Sequence, residues 1–150
     1  MLQKDEASYA DVYNKSLDLL SRREHSRFEL VQKLIKRYGS INFLDEVINK
    51  LQELKLLDDQ RFAEAYIKAR TRKGFGPRRI KAELQQRRVS ESIINHELSM
   101  INNWDEIAYT AFKKKFNSSS SETKETLKAK SFLQNRGFNF DQIEFCIKEA

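Results

Sequence analysis

The sequence contains few of the residues that interrupt helices or cross-link chains. Its 150 residues include four glycines, one proline and one cysteine. This scarcity of turn-forming residues favours helices over a β-sandwich, and the single cysteine, Cys146, excludes an internal disulfide and a thiol-rich zinc site. No apolar stretch approaches the roughly 18 residues of a membrane-spanning helix, and the N-terminus lacks the pattern of a secretory signal. We therefore expect a reduced, cytoplasmic protein with no membrane partner.

The chain does contain an internal repeat. Residues 84–90 (LQQRRVS) align without a gap with residues 133–139 (LQNRGFN), and the same offset places Ile94 against Ile143. A period of roughly 45–50 residues is typical of stacked helical units. Because a unit of that size buries too little surface to be stable alone, we expect the inner faces of neighbouring units to pack on one another.

Apolar residues recur at three- and four-residue steps along most of the chain, as they do in amphipathic helices. The pattern predicts nine helices in three triplets. The expected fold is all-α, an elongated tandem array of three three-helix, helix-turn-helix-like repeats. We place the first repeat, with its N-terminal helix, at residues 1–57, the basic second repeat at 58–102 and the third at 103–150.

Local signals mark several of the predicted helix ends. Ser26 and Glu29 have the spacing of a capping box, and Gly39 suits a left-handed turn after a helix. Pro77 suits the first turn of a helix, where its missing N–H would have no partner in any case. The serine-rich residues 117–121 are predicted to form a flexible loop.

Positive charge is concentrated in the middle repeat. The chain has 28 Lys and Arg against 22 Asp and Glu, a net charge of +6. Residues 68–88 contain nine basic residues and one acidic residue, Glu83, so the rest of the chain has a slight excess of negative charge. Such a segment favours an anionic polymer as partner. The backbone amides of the helix that begins near Pro77 offer a further position for a phosphate.

The candidate binding residues are cations of the middle repeat, with three more in the first repeat. At about 100° per residue, several of them lie on helix faces opposite the apolar ones. The set assigned to nucleic-acid or filament binding is Arg61, Lys68, Arg70, Arg72, Lys73, Arg78, Arg79, Lys81 and Arg88. The secondary candidates are Arg22, Arg23 and Arg27. A solvated helix face would also explain such charges, but the scarcity of acidic residues between positions 68 and 88 favours binding.

No group of residues has the pattern of a catalytic or metal site. His25 suits a turn or cap better than a phosphate contact, and His96 shares no helix face with other metal-ligand residues. Cys146 is expected to be a small buried hydrophobe, and Trp104 and Tyr109 are expected in the core rather than stacked on bases. We therefore expect no enzymatic activity and no cofactor.

Three segments together resemble the RecX family of regulators of the RecA recombinase. They are residues 25–30 (HSRFEL), residues 57–63 (LDDQRFA) continuing to 74–80 (GFGPRRI), and residues 132–138 (FLQNRGF). The order and spacing of these segments make the resemblance specific, and it extends from about Leu17 to Ile147. The chain departs from the family pattern at Arg88, where a glycine is usual before Val89.

The resemblance implies both an architecture and a function. It implies three three-helix repeats and a non-enzymatic regulator of recombination, DNA repair and the SOS response. Members of the family bind in the helical groove of the RecA filament on single-stranded DNA, and they inhibit strand exchange and coupled ATP hydrolysis by blocking filament growth or promoting disassembly. The implied partners are the RecA filament and single-stranded DNA, with duplex DNA as a further candidate. The long polar faces of the helices predict a monomer.

Two other classes of function remain open at this point. A stand-alone tandem helix-turn-helix protein, such as a transcription regulator, would hold a preferred duplex site against competitor DNA. A helical scaffold with a purely protein partner would show little salt-dependent DNA binding. A RecA regulator, in contrast, is expected to prefer filament-coated single strands.

Overall fold

The computed structural model describes residues 7–116 and 123–149, which form nine α-helices and no strand. The helices are α1 (Tyr9–Arg22), α2 (Arg27–Tyr38), α3 (Leu44–Glu53), α4 (Asp59–Arg72), α5 (Pro77–Gln86), α6 (Glu91–Ser99), α7 (Trp104–Lys115), α8 (Thr123–Asn135) and α9 (Phe140–Glu149). Helices pack mainly within the triplets α1–α3, α4–α6 and α7–α9, which we call the first, second and third modules. The all-α tandem array is confirmed. The predicted serine-rich loop at residues 117–121 lies outside the described residues.

The predicted caps set the starts of the helices. The Ser26 hydroxyl accepts a hydrogen bond from the Glu29 N–H at 3.1 Å, and the Glu29 carboxylate accepts one from the Ser26 N–H, also at 3.1 Å. The reciprocal bonds satisfy two backbone donors that a helix start would otherwise leave unpaired. Asn139 and Gln142 exchange the same pair of bonds before α9, and Pro77 occupies the first turn of α5. The capping box and the position of Pro77 are thus confirmed.

The second helix of every module is followed by a left-handed residue. Gly39 follows α2 with a φ of 77°, Arg88 follows α5 with a φ of 59°, and Gly137 follows α8 with a φ of 94°. At Arg88 the turn closes with a 3.2 Å hydrogen bond from the Val89 N–H to the Leu84 carbonyl. This conformation costs a residue with a Cβ about 1 kcal/mol or more. The middle module therefore has an arginine where the chain geometry favours glycine.

Each module has its own apolar core. The first contains Val12, Leu30, Leu34, Val47, Ile48 and Leu51; the second contains Phe62, Ile67, Ile80, Leu84 and Ile94; the third contains Ala108, Phe112, Leu133, Phe138 and Cys146. Within the described ranges, Trp104 alone packs against two cores, the second and the third. Our expectation that the inner faces of neighbouring units pack on one another is wrong, because the three helices of a module already cover one another's apolar faces. The described residues contain no candidate for a membrane-spanning helix.

Charged side chains join the first two modules. The Arg61 guanidinium donates to the Glu24 carboxylate at 2.7 Å. The backbone N–H of Arg27, at the start of α2, donates to the Asp59 carboxylate at 2.7 Å, which fixes the start of α4 beside the start of α2. We call these contacts the first junction.

Backbone groups join the second and third modules. The Gly76 N–H donates to the Arg136 carbonyl at 2.7 Å, and the Arg78 N–H donates to the Gly137 carbonyl at 2.9 Å. A Cβ on Gly76 would lie 2.5 Å from the carbonyl carbon of Gly137, and a Cβ on Gly137 would lie 2.5 Å from the Arg79 nitrogen. Both distances are too short for a real side chain, so glycine is required on both sides of this second junction.

Candidate nucleic-acid interface

The fold uses the predicted cations to very different extents. Three of them, Arg61, Arg70 and Arg79, make hydrogen bonds that build the fold. Lys68 and Lys81 form surface ion pairs. Arg72, Lys73, Arg78 and Arg88 are exposed, and none of the four is paired with a carboxylate of the described ranges. The predicted cations thus fall into three groups: those bonded within the fold, those in surface ion pairs, and those exposed without a carboxylate partner among the described residues.

Arg70 and Arg79 hold the turn between α4 and α5. Arg70 donates to both oxygens of the Glu83 carboxylate, at 2.9 and 2.8 Å, and its guanidinium lies 3.8 Å from the centre of the Phe75 ring. Arg79 lies 3.5 Å from the same carboxylate and donates to the Asn135 carbonyl at 3.2 Å. Burial alone would raise the pKa of Glu83, but hydrogen bonds, first among them those from Arg70, lower it. Glu83 is therefore ionised and neutralises part of the basic segment.

Arg61 turns towards the first module rather than away from the protein. Besides its 2.7 Å bond to Glu24, its guanidinium donates to the carbonyls of Lys55 and Leu56 at 2.8 and 3.2 Å. The hydrogen bond with Glu24 is the largest contribution to the raised pKa of Arg61. Helical periodicity places Arg61 on the same face of α4 as Lys68 and Arg72, but the Arg61 side chain bonds to groups of the first module. Its role in binding stays a prediction.

The two surface lysines remain accessible to an anion. Lys68 lies 3.0 Å from Glu64 one turn earlier on α4, and Lys81 lies 3.9 Å from Glu91 at the start of α6. All four side chains are exposed by more than a third. Solvent-exposed pairs of this kind contribute little to stability, so a phosphate can replace the carboxylate at small cost.

The secondary candidates in the first module are mostly occupied. Arg23 makes two hydrogen bonds to the Glu29 carboxylate, at 3.1 and 3.2 Å. The Arg27 guanidinium donates to side-chain amide oxygens on α3. Arg22 is mainly exposed and makes an ion pair with Asp18 at 3.2 Å. Of the three, Arg22 is the most accessible.

His25 has a structural role. It is almost completely buried, its Nδ1 lies 3.0 Å from the Arg23 carbonyl, and its Nε2 lies 2.8 Å from the Lys33 Nζ. Burial lowers the pKa of this imidazole. The ring is therefore neutral, with a proton on Nδ1 and a lone pair on Nε2 that accepts from the Lys33 ammonium. These contacts support the turn role predicted for His25 and leave no surface for a phosphate.

The predicted phosphate position at the start of α5 is wrong. The Arg78 N–H is bonded to the Gly137 carbonyl, and the Gly76 N–H is bonded to the Arg136 carbonyl. The third module therefore occupies the place where a phosphate would meet these amides. Sequence reasoning missed this because the acceptors lie about sixty residues further along the chain.

A cationic cleft lies between the C-terminal end of α4 and helices α7 and α8. Its volume is about 450 Å³, and its basic lining residues are Arg72, Lys73, Lys114, Lys115 and Arg136. One acidic residue, Glu106, also lines it. The Arg136 guanidinium donates to the Lys73 carbonyl at 2.9 Å, so it closes the cleft at the second junction. The remaining four cations are exposed and have no partner among the described carboxylates.

Lys114 and Lys115 are functional candidates that the sequence analysis missed. They are about forty residues beyond Arg72 and Lys73 in the chain, and only the packing of the third module on the α4–α5 turn brings them close to these two residues. Gly74 permits that packing, since a Cβ there would already lie 3.0 Å from the Ala111 Cβ. The available signal was the run of three lysines, residues 113–115, at the end of a predicted helix.

Residues with catalytic or metal-binding chemistry do not converge in this region. Cys146 is fully buried in the third core, as predicted, and burial raises the pKa of its thiol to about 12. The thiol is therefore protonated and unreactive. The described residues contain no cluster of three His, Cys, Asp or Glu side chains that could hold a metal ion.

Comparison with known proteins explains the three modules. Three family models match successive parts of the chain: the first three-helix domain of RecX matches residues 13–51, the second matches 58–98 and the third matches 104–147. The chain belongs to the RecX family. Two relatives named regulatory protein RecX support the assignment. The protein of Vibrio campbellii is 39% identical over 150 residues, covering 98% of this chain and 96% of its own. The protein of Halorhodospira halophila is 38% identical over 134 residues, covering 88% and 83%.

Solved RecX structures share the architecture. The crystal structure of RecX from Lactobacillus salivarius superposes with a TM-score of 0.77 at 26% identity, covering 94% of this chain and 95% of the other. A second crystal structure of a regulatory protein RecX gives a TM-score of 0.78 at 25% identity, covering 95% and 73%. The RecX relatives are thus similar to this chain in sequence and in the arrangement of all three modules.

Proposed function

We propose that this chain regulates the RecA recombinase by binding to RecA filaments on single-stranded DNA. Binding inhibits filament growth, strand exchange and ATP hydrolysis by RecA. The chain acts in this way in DNA repair and the SOS response. The observation that carries the proposal is membership of the RecX family over nearly the whole chain, since the relatives are named regulatory proteins. The chain acts by binding and not by catalysis.

The charge distribution supports a partner that contains nucleic acid. Arg72, Lys73, Arg78 and Arg88 are exposed and lack partners among the described carboxylates. Cations in this state release counterions when they neutralise phosphates, which gives affinity without sequence preference. This is the type of contact that a regulator needs if it must bind filaments on any DNA sequence.

The helix that would read duplex DNA is poorly suited to that task. In helix-turn-helix proteins the last helix of the motif enters the major groove and contacts bases and phosphates. In the second module that helix is α6, which has Glu91 and Glu97 and neither lysine nor arginine. A transcription regulator that uses this module would therefore lack its usual cationic contacts, and we prefer the filament regulator.

The decisive experiment is a titration of this protein into RecA that hydrolyses ATP on single-stranded DNA. We expect the rate of hydrolysis to fall as the protein approaches the RecA concentration. An unchanged rate up to equimolar protein would contradict the proposal. A preferred duplex site that survives competitor DNA would favour the transcription regulator instead.

A charge-reversal variant connects the activity to the second module. Arg78→Glu with Lys81→Glu is expected to weaken inhibition, because both side chains lie on the outer face of α5. Lys36→Glu with Lys148→Glu changes the net charge equally at two exposed lysines outside the second module. Equal loss in both variants would show that net charge, and not this surface, determines the effect. Circular dichroism should show unchanged helicity in both.

A further inference from the structure

We propose that the cleft between the second and third modules binds one or two nucleotides of single-stranded nucleic acid, with phosphates on its lysines and a base against its apolar wall. The inference deepens the proposed function and depends on it for its biological meaning. It assigns one DNA contact, in addition to the proposed surface of Arg78 and Lys81 on α5, to a specific place that neither the family membership nor the basic segment provides.

The cleft presents cations from two modules to one anion path. Arg72 and Lys73 approach from the end of α4, and Lys114 and Lys115 approach from the end of α7. The C-terminal ends of both helices, which carry partial negative charge, make these positions favourable for cations. The four side chains remain exposed, so they can reorient around successive phosphates without leaving a buried partner unpaired.

An apolar wall within the same cleft suits a nucleobase. Phe132 and Ile107 line the cleft and are only partly buried. The Arg136 guanidinium lies 5.0 Å from the centre of the Phe132 ring, so an arginine and an aromatic ring meet at one point of the lining. Aromatic rings interleaved with cations are the usual features of single-strand binding, since a base can stack on a ring without sequence preference.

The shape and lining of the cleft favour a single strand of nucleic acid over duplex DNA and over an acidic peptide. A volume of about 450 Å³ is in the range of small-ligand pockets, whereas duplex reading needs an element that protrudes into a groove roughly 12 Å wide. An acidic peptide would satisfy the lysines but, without apolar side chains, would leave the exposed parts of Phe132 and Ile107 in contact with water. The combination of charge and apolar surface therefore indicates a nucleotide.

Binding of a labelled oligothymidylate, followed by fluorescence anisotropy, tests the assignment. In Lys73→Gln with Lys114→Gln, two phosphate contacts are lost. The slope of log K against log salt should then fall by about 1.4, and affinity at 0.1 M salt by roughly 25-fold, because each single-strand contact contributes about 0.7. The matched control is Lys36→Gln with Lys148→Gln, two exposed lysines that do not line the cleft. Unchanged binding by the cleft variant, or equal weakening in the control, would overturn the assignment.

Acetylation of the unaltered protein provides a test that needs no variant. Oligothymidylate should protect Lys73, Lys114 and Lys115 from acetylation at least several-fold more than Lys36 and Lys148, as measured by mass spectrometry. Uniform protection would contradict the proposal. So would displacement of the oligonucleotide by polyglutamate or by duplex DNA at equal charge concentration.

The results separate this inference from the proposed function. If binding depends on the cleft but RecA ATP hydrolysis is unaffected, the cleft assignment stands and the regulatory proposal fails. If hydrolysis is inhibited but the cleft variant binds oligothymidylate as the unaltered protein does, the regulatory proposal stands and the cleft assignment fails.

Discussion

The two junctions between modules are built from different groups. At the first junction, side chains form ion pairs and hydrogen bonds: Arg61 with Glu24, Asp59 with a backbone amide, and Arg87 within 3.6 Å of Glu29. At the second junction, the backbones themselves are bonded, through Gly76 and Arg78 on one side. The guanidiniums of Arg79 and Arg136 add hydrogen bonds to backbone carbonyls across the same junction. The comparison shows that similar modules in one chain are connected in a tolerant way at one point and in a restrictive way at the other.

The difference has a simple physical cause. Long charged side chains can adjust when a neighbour moves, and solvent partly screens their interactions. The backbones at Gly76 and Gly137 have no side chain that could rotate out of the way. A Cβ on either glycine can be accommodated only if one module moves away from the other, which would lengthen both backbone hydrogen bonds. We therefore expect the first junction to respond to charge, salt and pH, and the second to respond mainly to side-chain size.

The largest expected effect is that of Gly137→Ala. The new Cβ would lie 2.3–2.9 Å from atoms of Arg79, and the φ of 94° is unfavourable for alanine. We expect a loss of about 3 kcal/mol or more in the free energy of unfolding. Urea unfolding followed by the fluorescence of Trp104, the one tryptophan of the chain, measures this, because Trp104 packs against both the second and the third core.

Two other glycines provide controls for the same effect. Gly39→Ala has an unfavourable backbone conformation, with a φ of 77° and a ψ of −165°, but meets no atom within 4 Å, so it should cost about 1–3 kcal/mol. Gly76→Ala has an ordinary φ but meets the backbone of Gly137 at 2.5 Å, so it should cost about 1–3 kcal/mol. Equal losses at Gly39 and Gly137 would contradict the close approach.

A smaller effect is expected when the first junction loses its charge. Glu24→Gln should lower the free energy of unfolding by about 1 kcal/mol, because a charged hydrogen bond to Arg61 becomes a neutral one that is partly exposed. Glu64→Gln, which weakens only the surface pair with Lys68, should cost less than about 0.5 kcal/mol. The loss at Glu24 should shrink in high salt.

The same variant tests whether Arg61 contacts DNA directly. If Arg61 supports the DNA-binding surface through its bond to Glu24, then Glu24→Gln should weaken oligonucleotide binding. Stronger binding after the loss of this carboxylate would instead favour a direct contact between Arg61 and phosphate, and unchanged binding would contradict both roles.

Arg88→Gly should be more stable than Arg88→Ala by about 1 kcal/mol, since both variants lose the contact of the Arg88 guanidinium with the Phe28 ring, 5.4 Å from its centre, and only alanine keeps the unfavourable φ. Glycine adopts the φ of 59° without the strain that arginine has there. Arg88→Ala keeps the strain and removes the cation, so it should not stabilise. If Arg88 contacts DNA, both variants should weaken binding equally, although their thermal midpoints differ. Equal midpoints in the two variants would contradict the strain.

The smallest effect is expected from acid at Glu29. Burial alone would raise the pKa of this carboxyl, but hydrogen bonds from Arg23 and the Ser26 amide lower it below its usual 4.5. Its contribution to stability is therefore fully present above that value and is lost as the pH falls through the lower folded pKa. Glu29→Gln should flatten the pH dependence of urea unfolding below pH 4.5. The backbone bonds at Gly76 do not titrate and should not contribute to the acid response. If Glu29→Gln and the unaltered protein lose stability equally as the pH falls, the proposed contribution of the Glu29 carboxylate is contradicted.

The sequence predicts the elements of this fold well because its signals are local. The capping box at Ser26, the turn at Gly39 and the position of Pro77 depend on residues three or four positions apart, and the structure confirms all three. Packing between modules is different. We expected the apolar inner faces to pack on one another, but each core closes within its module, and periodicity alone does not distinguish the two arrangements.

The candidate site was harder to predict because pairing is not local. Arg61 and Glu24 are separated by 37 residues, and Arg79 and the Asn135 carbonyl by 56. A count of charges between positions 68 and 88 shows one carboxylate, whereas the fold brings Glu64 and Glu91 from outside the segment to Lys68 and Lys81. Lys114 and Lys115 were not predicted for the same reason, because they are about forty residues beyond Arg72 and Lys73 in the chain.

Three independent cores also determine how the molecule responds to tension. A pull on its two ends acts first on the few bonds between modules, since each core is enclosed mainly by helices of its own module, and Trp104 is the one described side chain that packs against two cores. The ion pairs near Glu24 should break before the glycine contact does, so the chain should lengthen stepwise while its helices stay folded. If the chain binds a filament as proposed, stretching or unwinding of that filament would be followed by rearrangement of whole modules rather than by unfolding.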